Sequence, residues 1–217
     1  MSQLSSQNIQ ENQTLVPQNQ ISPKQIPFWR LGIPLLIQLA LIVSVPAQAV
    51  YTYVTGKTVI LQTMPVDPYD LLRGYYQTLS YEISDRDTLK SLPGWQEIAG
   101  ESDWLPRNTM IYVTLEQPNA QSTSELPSAW KPIQISLEKP ENLAENQIAI
   151  RGESQGWNIK YGVERYYMPE DQREQINQDI NETQRNQPEA FVVEVKVDRN
   201  GKAIPMSLWV RDRNYQF

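Results

Sequence analysis

The chain has 217 residues and a formal net charge of −6 at pH 7. Residues 1–57 hold three basic side chains against one acidic one, so residues 58–217 carry −8. A domain this acidic is unsuited to holding phosphate backbones by charge, and we expect no nucleic-acid partner. Without an N-terminal arm and an apolar segment, about 160 residues remain, enough for one soluble domain.

The sequence contains no histidine and no cysteine. These absences exclude Ser-His-Asp and Cys-His catalysis, zinc sites built on imidazole or thiolate, iron–sulfur clusters and disulfides. Carboxylate acid–base chemistry, cation binding by oxygen ligands and a Ser-Lys pair stay open, as does the absence of catalysis. The Ser-x-Met run of type I signal peptidases does not occur, because Met206 precedes Ser207. We expect no cofactor and no metal.

An uncharged stretch of 20 residues runs from Leu31 to Val50. As a helix it would span about 30 Å, the thickness of the hydrocarbon core of a bilayer. Lys24 and Arg30 precede it and an acidic mass follows, which predicts a cytoplasmic N-terminus. The sequence thus predicts a flexible cytoplasmic tail over 1–28, a transmembrane helix in the lipid bilayer over 29–54, and an extracytoplasmic domain over 58–217.

An alternative to a retained anchor is cleavage. Pro46 to Ala49 has the small-x-small form that signal peptidase cuts, which would leave Val50 as the new N-terminus. A long polar arm before the stretch and an aromatic collar after it, Tyr51 and Tyr53, favour retention.

Beyond the apolar stretch, apolar and polar residues alternate with the period of β-strands. The predicted strands are 58–63, 75–83, 109–116, one around Ile133 to Leu137, one around Ile148 and Ile150, 157–167, 191–197 and 203–210. Asn200-Gly201 predicts a tight hairpin between the last two strands, since both residues tolerate positive φ. Pro205 cannot donate to a ladder, so the last strand is expected at an edge or bulged.

Only one helix is predicted outside the membrane, from Pro169 to about Arg185. Its apolar stripe is thin, with Ile176 and Ile180, so we expect it on the surface. Polar segments 85–108 and 117–129 are predicted as loops. The fold class is therefore mainly β, a curled sheet or partly open barrel with one surface helix, preceded by a single N-terminal transmembrane helix.

The most informative run is Met64 to Tyr81, MPVDPYDLLRGYYQTLSY. Asp67 is a helix N-cap before a proline suited to the first helical position, and Gly74 suits the left-handed end of that turn. Arg73 lies three residues after Asp70, within reach of its carboxylate. The run therefore predicts a strand, one helical turn, a glycine and a second strand.

This run resembles the signature of the GDYXXLXY family, bacterial proteins held in the membrane by an N-terminal helix. The Gly-Asp-Tyr-x-x-Leu-x-Tyr pattern maps onto Gly74, Tyr75, Tyr76, Leu79 and Tyr81. The preceding family residues map onto Pro65, Asp67, Pro68, Asp70, Leu71 and Arg73. A second block, Tyr161 to Glu170, resembles the family's Tyr-Gly-x-Glu-x-Tyr segment and includes Glu164 and Arg165.

Tyr75 stands where the family signature has Asp, a variant that resembles cyanobacterial members. If that Asp were a catalytic acid, this chain would lack the activity, so Tyr75 favours a structural role for the motif. The resemblance implies an N-terminal membrane helix, an extracytoplasmic β-rich domain and an integral membrane protein as partner. It implies no reaction.

Two interpretations of the motif carboxylates are open. Asp67, Asp70, Glu164 and Glu170 would form a cation site or an acid–base pair if they converged. Alternatively, Asp67 caps a turn, Asp70 or Glu164 pairs with Arg73 or Arg165, and Glu170 sits in the first turn of a helix. We favour local pairing, and with it a non-enzymatic scaffold for a membrane partner over a carboxylate-dependent hydrolase or cation-binding domain acting on envelope material.

The aromatic residues also admit two interpretations. They line a ligand groove, or they form cross-strand pairs that hold the sheets together, and the second is more common. The residues concerned are Tyr75, Tyr76, Tyr81, Tyr161, Tyr166, Tyr167, Trp157 and Trp209.

Overall fold

A computed structural model describes residues 28–64, 76–119, 126–167 and 172–216. It divides into two compact units, Met1–Val43 and Ser44–Phe217. Helix α1 is Phe28–Thr55, close to the predicted 29–54. The predicted tail over 1–28 lies outside the described residues except for Phe28.

Helix α1 is long and apolar enough to cross a membrane, with a mean hydropathy of 2.0 over its most apolar window. Its large side chains are open to solvent; Leu36 and Val45, for example, are 65% and 75% exposed. A contiguous apolar surface of this size requires a lipid or protein environment. α1 is therefore a candidate membrane-spanning helix.

The remaining elements are mostly strands. In chain order they are β1 (Lys57–Met64), β2 (Tyr76–Thr78), β3 (Ser80–Tyr81), α2 (Arg86–Lys90), α3 (Trp95–Ala99), β4 (Thr109–Glu116), β5 (Lys131–Ser136), β6 (Gln147–Ser154), β7 (Ile159–Lys160), β8 (Arg165–Tyr167), α4 (Arg173–Asn186), β9 (Phe191–Val197), β10 (Ala203–Val210) and β11 (Arg213–Gln216). The prediction of a mainly β domain preceded by one apolar helix is confirmed.

The strands form two larger antiparallel sheets and a two-stranded ribbon. One sheet has the order β11-β10-β9-β1-β3, the other has the order β5-β4-β6-β7, and β2 pairs with β8. Within the described residues no sheet closes into a barrel. Both sheets contribute to one apolar core.

Strand β4 shows why the alternation predicts the sheet. Ile111, Val113 and Leu115 are completely buried, whereas Met110 on the opposite face is 42% exposed. Burying one such side chain stabilises the fold by about 1.5–3 kcal/mol, so one face of the strand is fixed toward the core. In β9 the buried residues Phe191, Val193, Val195 and Val197 repeat this spacing, and Val192 on the opposite face is buried as well.

The helices correct part of the sequence prediction. Segment 85–108, predicted as a loop, contains α2 and α3; the Asp85 side chain caps α2 by accepting the Thr88 N–H at 2.9 Å. α4 ends at Asn186, close to the predicted end, whereas its predicted start at Pro169 lies outside the described residues; its thin stripe of Ile176 and Ile180 is fully covered. Asp179 on α4 accepts the Tyr215 hydroxyl of β11 at 2.6 Å.

Two predicted strands are interrupted, and one expected edge strand is internal. Segment 75–83 breaks at Leu79 into β2 and β3, which belong to different sheets, and 157–167 breaks into β7 and β8. β10 is bulged after Pro205, as expected, but it lies between β9 and β11. The prediction of an edge position or a bulge is met by the bulge, and β11, which was not recognised as a strand, occupies the edge.

The β9–β10 turn is longer than the predicted two-residue turn. The Asp198 N–H donates to Lys202 O at 2.9 Å, and the Gly201 N–H donates to Asp198 O at 3.0 Å. Only Gly201 takes a positive φ, 79°. This turn contacts both α1 and β6: Thr52 Oγ1 lies 3.1 Å from Asp198 Oδ2, and the Arg151 N–H donates to Gly201 O at 2.8 Å.

Candidate functional site

The structure describes four of the eight residues predicted for the motif site. Asp67, Asp70, Arg73 and Gly74 lie outside the described residues, as does Glu170, so their predicted roles stay predictions. Tyr76, Tyr81, Glu164 and Arg165 fall within β2, β3 and the segment leading into β8.

The ribbon of β2 and β8 brings the two family-like blocks together. Tyr76 is opposite Tyr167, and Thr78 is opposite Arg165. The side chain of Arg165 is exposed. Two segments far apart in the sequence therefore meet in a structure separate from the larger sheets.

A pair of tyrosines fastens this ribbon to the core. Tyr81 is completely buried, and its hydroxyl donates to Val163 O at 2.6 Å. Reciprocally, the Tyr161 hydroxyl donates to Ile83 O at 2.5 Å. Each tyrosine thus reaches from one family-like block to a backbone carbonyl at or beside the other.

The Glu164 carboxylate stabilises the turn between these contacts. Its Oε1 accepts the Tyr161 N–H at 2.5 Å, and its Oε2 accepts the Gly162 N–H at 3.0 Å. Gly162 takes a φ of 84°, which costs a residue with a Cβ about 1–2 kcal/mol. We call Tyr81, Tyr161, Gly162, Val163 and Glu164 the motif clasp.

Leu79 marks where the chain passes from the ribbon to the large sheet. Its N–H donates to the Glu164 backbone carbonyl at 2.8 Å, and its side chain is 2% exposed. This contact takes the place of a ladder bond within one continuous strand, so the predicted strand breaks here.

The electrostatics of the motif clasp keep its hydroxyls neutral. Burial, and secondarily the Glu164 charge, raises the pKa of both Tyr81 and Tyr161 well above the ordinary value. Burial likewise raises the pKa of Tyr166, next to the clasp, to about 12, while a hydrogen bond to the Leu208 backbone acts in the opposite direction. The Tyr166 hydroxyl donates to Tyr215 O at 2.6 Å.

The arrangement fits fastening better than catalysis. Both Glu164 oxygens accept backbone N–H groups, and the tyrosine hydroxyls are directed at carbonyls. Among the residues that the structure describes, no group of three or more acidic side chains is placed to hold a metal ion. Tyr81, Tyr161 and Tyr166 are buried, and their hydroxyls donate to backbone carbonyls, whereas Trp157 is 68% exposed.

Sequence analysis missed the polar contacts at the end of α1. Asp198 is 6% exposed and accepts the N–H groups of Asn200 and Lys202 at 2.8 and 3.0 Å through Oδ1. An Asp two residues before Asn-Gly is a recognisable signal for such a turn. Thr52 and Arg151, which contact this turn, lie far from it in the sequence. No local sequence pattern indicates these contacts.

Comparison with known proteins agrees with the motif. The model of the family described as GDYXXLXY protein matches residues 38–208. No curated protein matches the chain, and no solved structure matches it. Since the match covers most of the 217 residues, the chain belongs to the GDYXXLXY family.

Replacing Tyr81 by Phe tests the fastening role. The change removes a buried donor and leaves the Val163 carbonyl without it, so we expect the free energy of unfolding to fall by about 1–3 kcal/mol. Urea denaturation of the full chain in detergent measures this. Tyr112→Phe in β4 is the matched control, because that half-buried hydroxyl has no hydrogen bond among the described residues. Equal stability of the two variants would contradict the fastening role.

The raised tyrosine pKa values predict alkaline unfolding. The folded state holds the phenolic protons of Tyr81, Tyr161 and Tyr166 at pH values where the unfolded chain loses them. Their stabilisation is complete below about pH 10, the ordinary tyrosine pKa, and declines as the pH rises above it. The midpoint of urea unfolding, followed from pH 8 to 12, should fall less steeply above pH 10 in the Tyr81→Phe, Tyr161→Phe double variant than in Tyr112→Phe. Identical slopes would refute the assignment.

Proposed function

We propose that this member of the GDYXXLXY family is a non-enzymatic interaction protein, anchored in a membrane by α1, whose β domain presents the β2–β8 ribbon to an integral membrane partner. The observation that carries the proposal is the use of the motif's polar groups. Glu164 and the two clasp tyrosines bond to backbone groups and hold the ribbon in place. We therefore infer that the motif holds the β2–β8 ribbon in position. Glu164 and the two tyrosines are engaged in these hydrogen bonds, which leaves them unavailable for proton transfer to a substrate.

The location of the ribbon supports a docking role. β2 and β8 pair with each other and with no further strand among the described residues, so they lie beside the two large sheets and outside both ladders. The exposed Arg165 is part of this ribbon.

The membrane assignment rests on α1 and on the charges near it. Its exposed apolar side chains would be covered by lipid acyl chains. Lys24 precedes the helix, Arg30 lies in its first turn and an acidic domain follows, a distribution of charge that supports an extracytoplasmic β domain. In this orientation the ribbon meets partners on the outer side of the membrane.

The topology is tested by single cysteines, which report cleanly because the native chain has none. Ser5→Cys places a thiol before α1, and Lys160→Cys places one on an exposed position of β7. A membrane-impermeant maleimide added to sealed, right-side-out cells should label Lys160→Cys, and should label Ser5→Cys only after lysis. The reverse pattern would place the β domain in the cytoplasm. Labelling of Lys160→Cys in the medium fraction would indicate cleavage in place of anchoring.

Partner docking is tested by site-specific photocrosslinking. A benzoylphenylalanine at Arg165 should give one discrete adduct with an integral membrane protein in native membranes. The same residue at Gln134, exposed on β5, is the control and should not form that adduct. Absence of an adduct at Arg165, or the same adduct at both positions, would contradict docking through the ribbon. A substrate turnover lost in Glu164→Gln with unchanged stability would favour a carboxylate hydrolase instead.

A further inference from the structure

A polar cavity of about 490 Å³ lies where the end of α1 meets the β9–β10 turn. Gln48 and Tyr51 line it from the helix, Asn200 and Lys202 from the turn, and Arg151 from β6. This volume is within the range of about 300–1,000 Å³ that small-molecule sites occupy. All of these residues belong to the unit Ser44–Phe217.

The charges of the cavity favour an anion. Arg151 has no hydrogen bond or ion pair from its side chain among the described residues, and Lys202 Nζ donates only to Gln48 Oε1, at 3.0 Å. Asp198, the one carboxylate in the lining, is occupied by Thr52, Asn200 and Lys202. Two cations thus face a cavity whose single carboxylate is already hydrogen-bonded.

A second cavity of about 490 Å³ continues the basic region on the other side of the turn. Lys57, Lys139 and Arg199 line it, together with Glu141 and the same Asp198. The two cavities together hold five basic side chains and two acidic ones, although residues 58–217 carry −8 overall. The positive charge is therefore concentrated around the end of α1.

Gln48 and Tyr51, which line the first cavity, belong to the last turns of α1. Its 28 residues extend about 42 Å at 1.5 Å per residue, whereas the hydrocarbon core is about 30 Å thick. If Leu31 to Val50 fills the core, Gln48 and Tyr51 lie at its boundary, where phosphates begin. A phosphate there would accept hydrogen bonds from the Arg151 guanidinium, the Lys202 ammonium and the Asn200 amide.

We propose that this cavity binds the phosphate of an anionic phospholipid headgroup. The proposal rests on the membrane anchoring in the proposed function and is independent of the partner at the ribbon. Arg151 supplies a planar pair of donors, Lys202 a point charge, and Tyr51 covers the glycerol side of the headgroup. An anionic lipid is favoured over a zwitterionic one because the lining carries a net positive charge and holds no unoccupied carboxylate for a choline group.

Native mass spectrometry of the full-length chain in neutral detergent tests the site. Phosphatidylglycerol is titrated against phosphatidylcholine, and inorganic phosphate is added in a separate arm. We expect phosphatidylglycerol to bind more tightly, and the Arg151→Gln, Lys202→Gln double variant to lose about 25-fold in affinity, at about 5-fold per cation. The matched control Arg107→Gln, Lys160→Gln removes the same charges at exposed positions that line neither cavity, and it should retain binding.

The outcomes separate the possibilities. Equal binding by both double variants, or equal loss in both, would overturn the site. Displacement of the lipid by millimolar inorganic phosphate would identify an anion pocket without lipid specificity and would also overturn it. Arg151→Gln alone, which removes a side chain with no hydrogen bond, should weaken binding about 5-fold and controls for misfolding. Failure of these tests with correct maleimide labelling would leave the anchored topology intact.

Discussion

The carboxylate of Asp198 is the point at which the three main parts of the described domain meet. It accepts two backbone N–H groups of its own turn and lies 3.1 Å from the Thr52 hydroxyl at the end of α1. The same turn presents Gly201 O to the Arg151 N–H of β6. A Cβ at Gly201 would approach Ala149 O to 3.1 Å, so only glycine allows the turn and β6 to come this close. The β9–β10 turn therefore contacts the end of α1 and the four-stranded sheet, and it belongs itself to the five-stranded sheet.

The last turn of α1 is joined to the β domain by hydrogen bonds. A hydrogen bond to a charged group is worth about 1.5–3 kcal/mol when its donor is otherwise desolvated, and Thr52 is completely buried. The Gly56 N–H also donates to Thr52 O at 2.8 Å, so β1 begins directly at the helix end. The last turns of α1 are thus part of the folded unit, which agrees with the division of the chain before Ser44. A flexible linker is absent between the end of α1 and the first strand.

The motif clasp shows one structural use for the tyrosine and acidic residues of the family signature. Burial raises the pKa of Tyr81 and Tyr161 well above the ordinary value, and their hydroxyls donate to the carbonyls of Val163 and Ile83. Glu164 serves the backbone of a turn that needs glycine at position 162. Each of these side chains has the length and the polar group needed to reach one particular backbone carbonyl or N–H group.

The sequence predicts those parts of the fold in which one local pattern decides the outcome. β4 is found with the predicted bounds because apolar residues alternate over its whole length. The break at Leu79 was not predictable, since it depends on the Glu164 carbonyl far along the chain. The helix α2 had a local signal in Asp85 and Thr88, but its polar composition resembles a loop. For the candidate site, Tyr81 and Glu164 were identified by the motif, whereas Arg151 was not, because nothing near it in the sequence indicates what it faces.

The acidic domain carries a group of basic side chains beside the end of α1. An acidic domain tethered close to an anionic surface would be repelled by it, at a cost that salt screens beyond about 8–10 Å. Five basic side chains line the two cavities beside the end of α1, whereas most of the domain's carboxylates do not line them. In the proposed orientation, attraction between these cations and anionic headgroups would oppose that repulsion. The hydrogen bonds of Thr52 to Asp198 and of the Gly56 N–H to Thr52 O join this basic region to the last turn of α1.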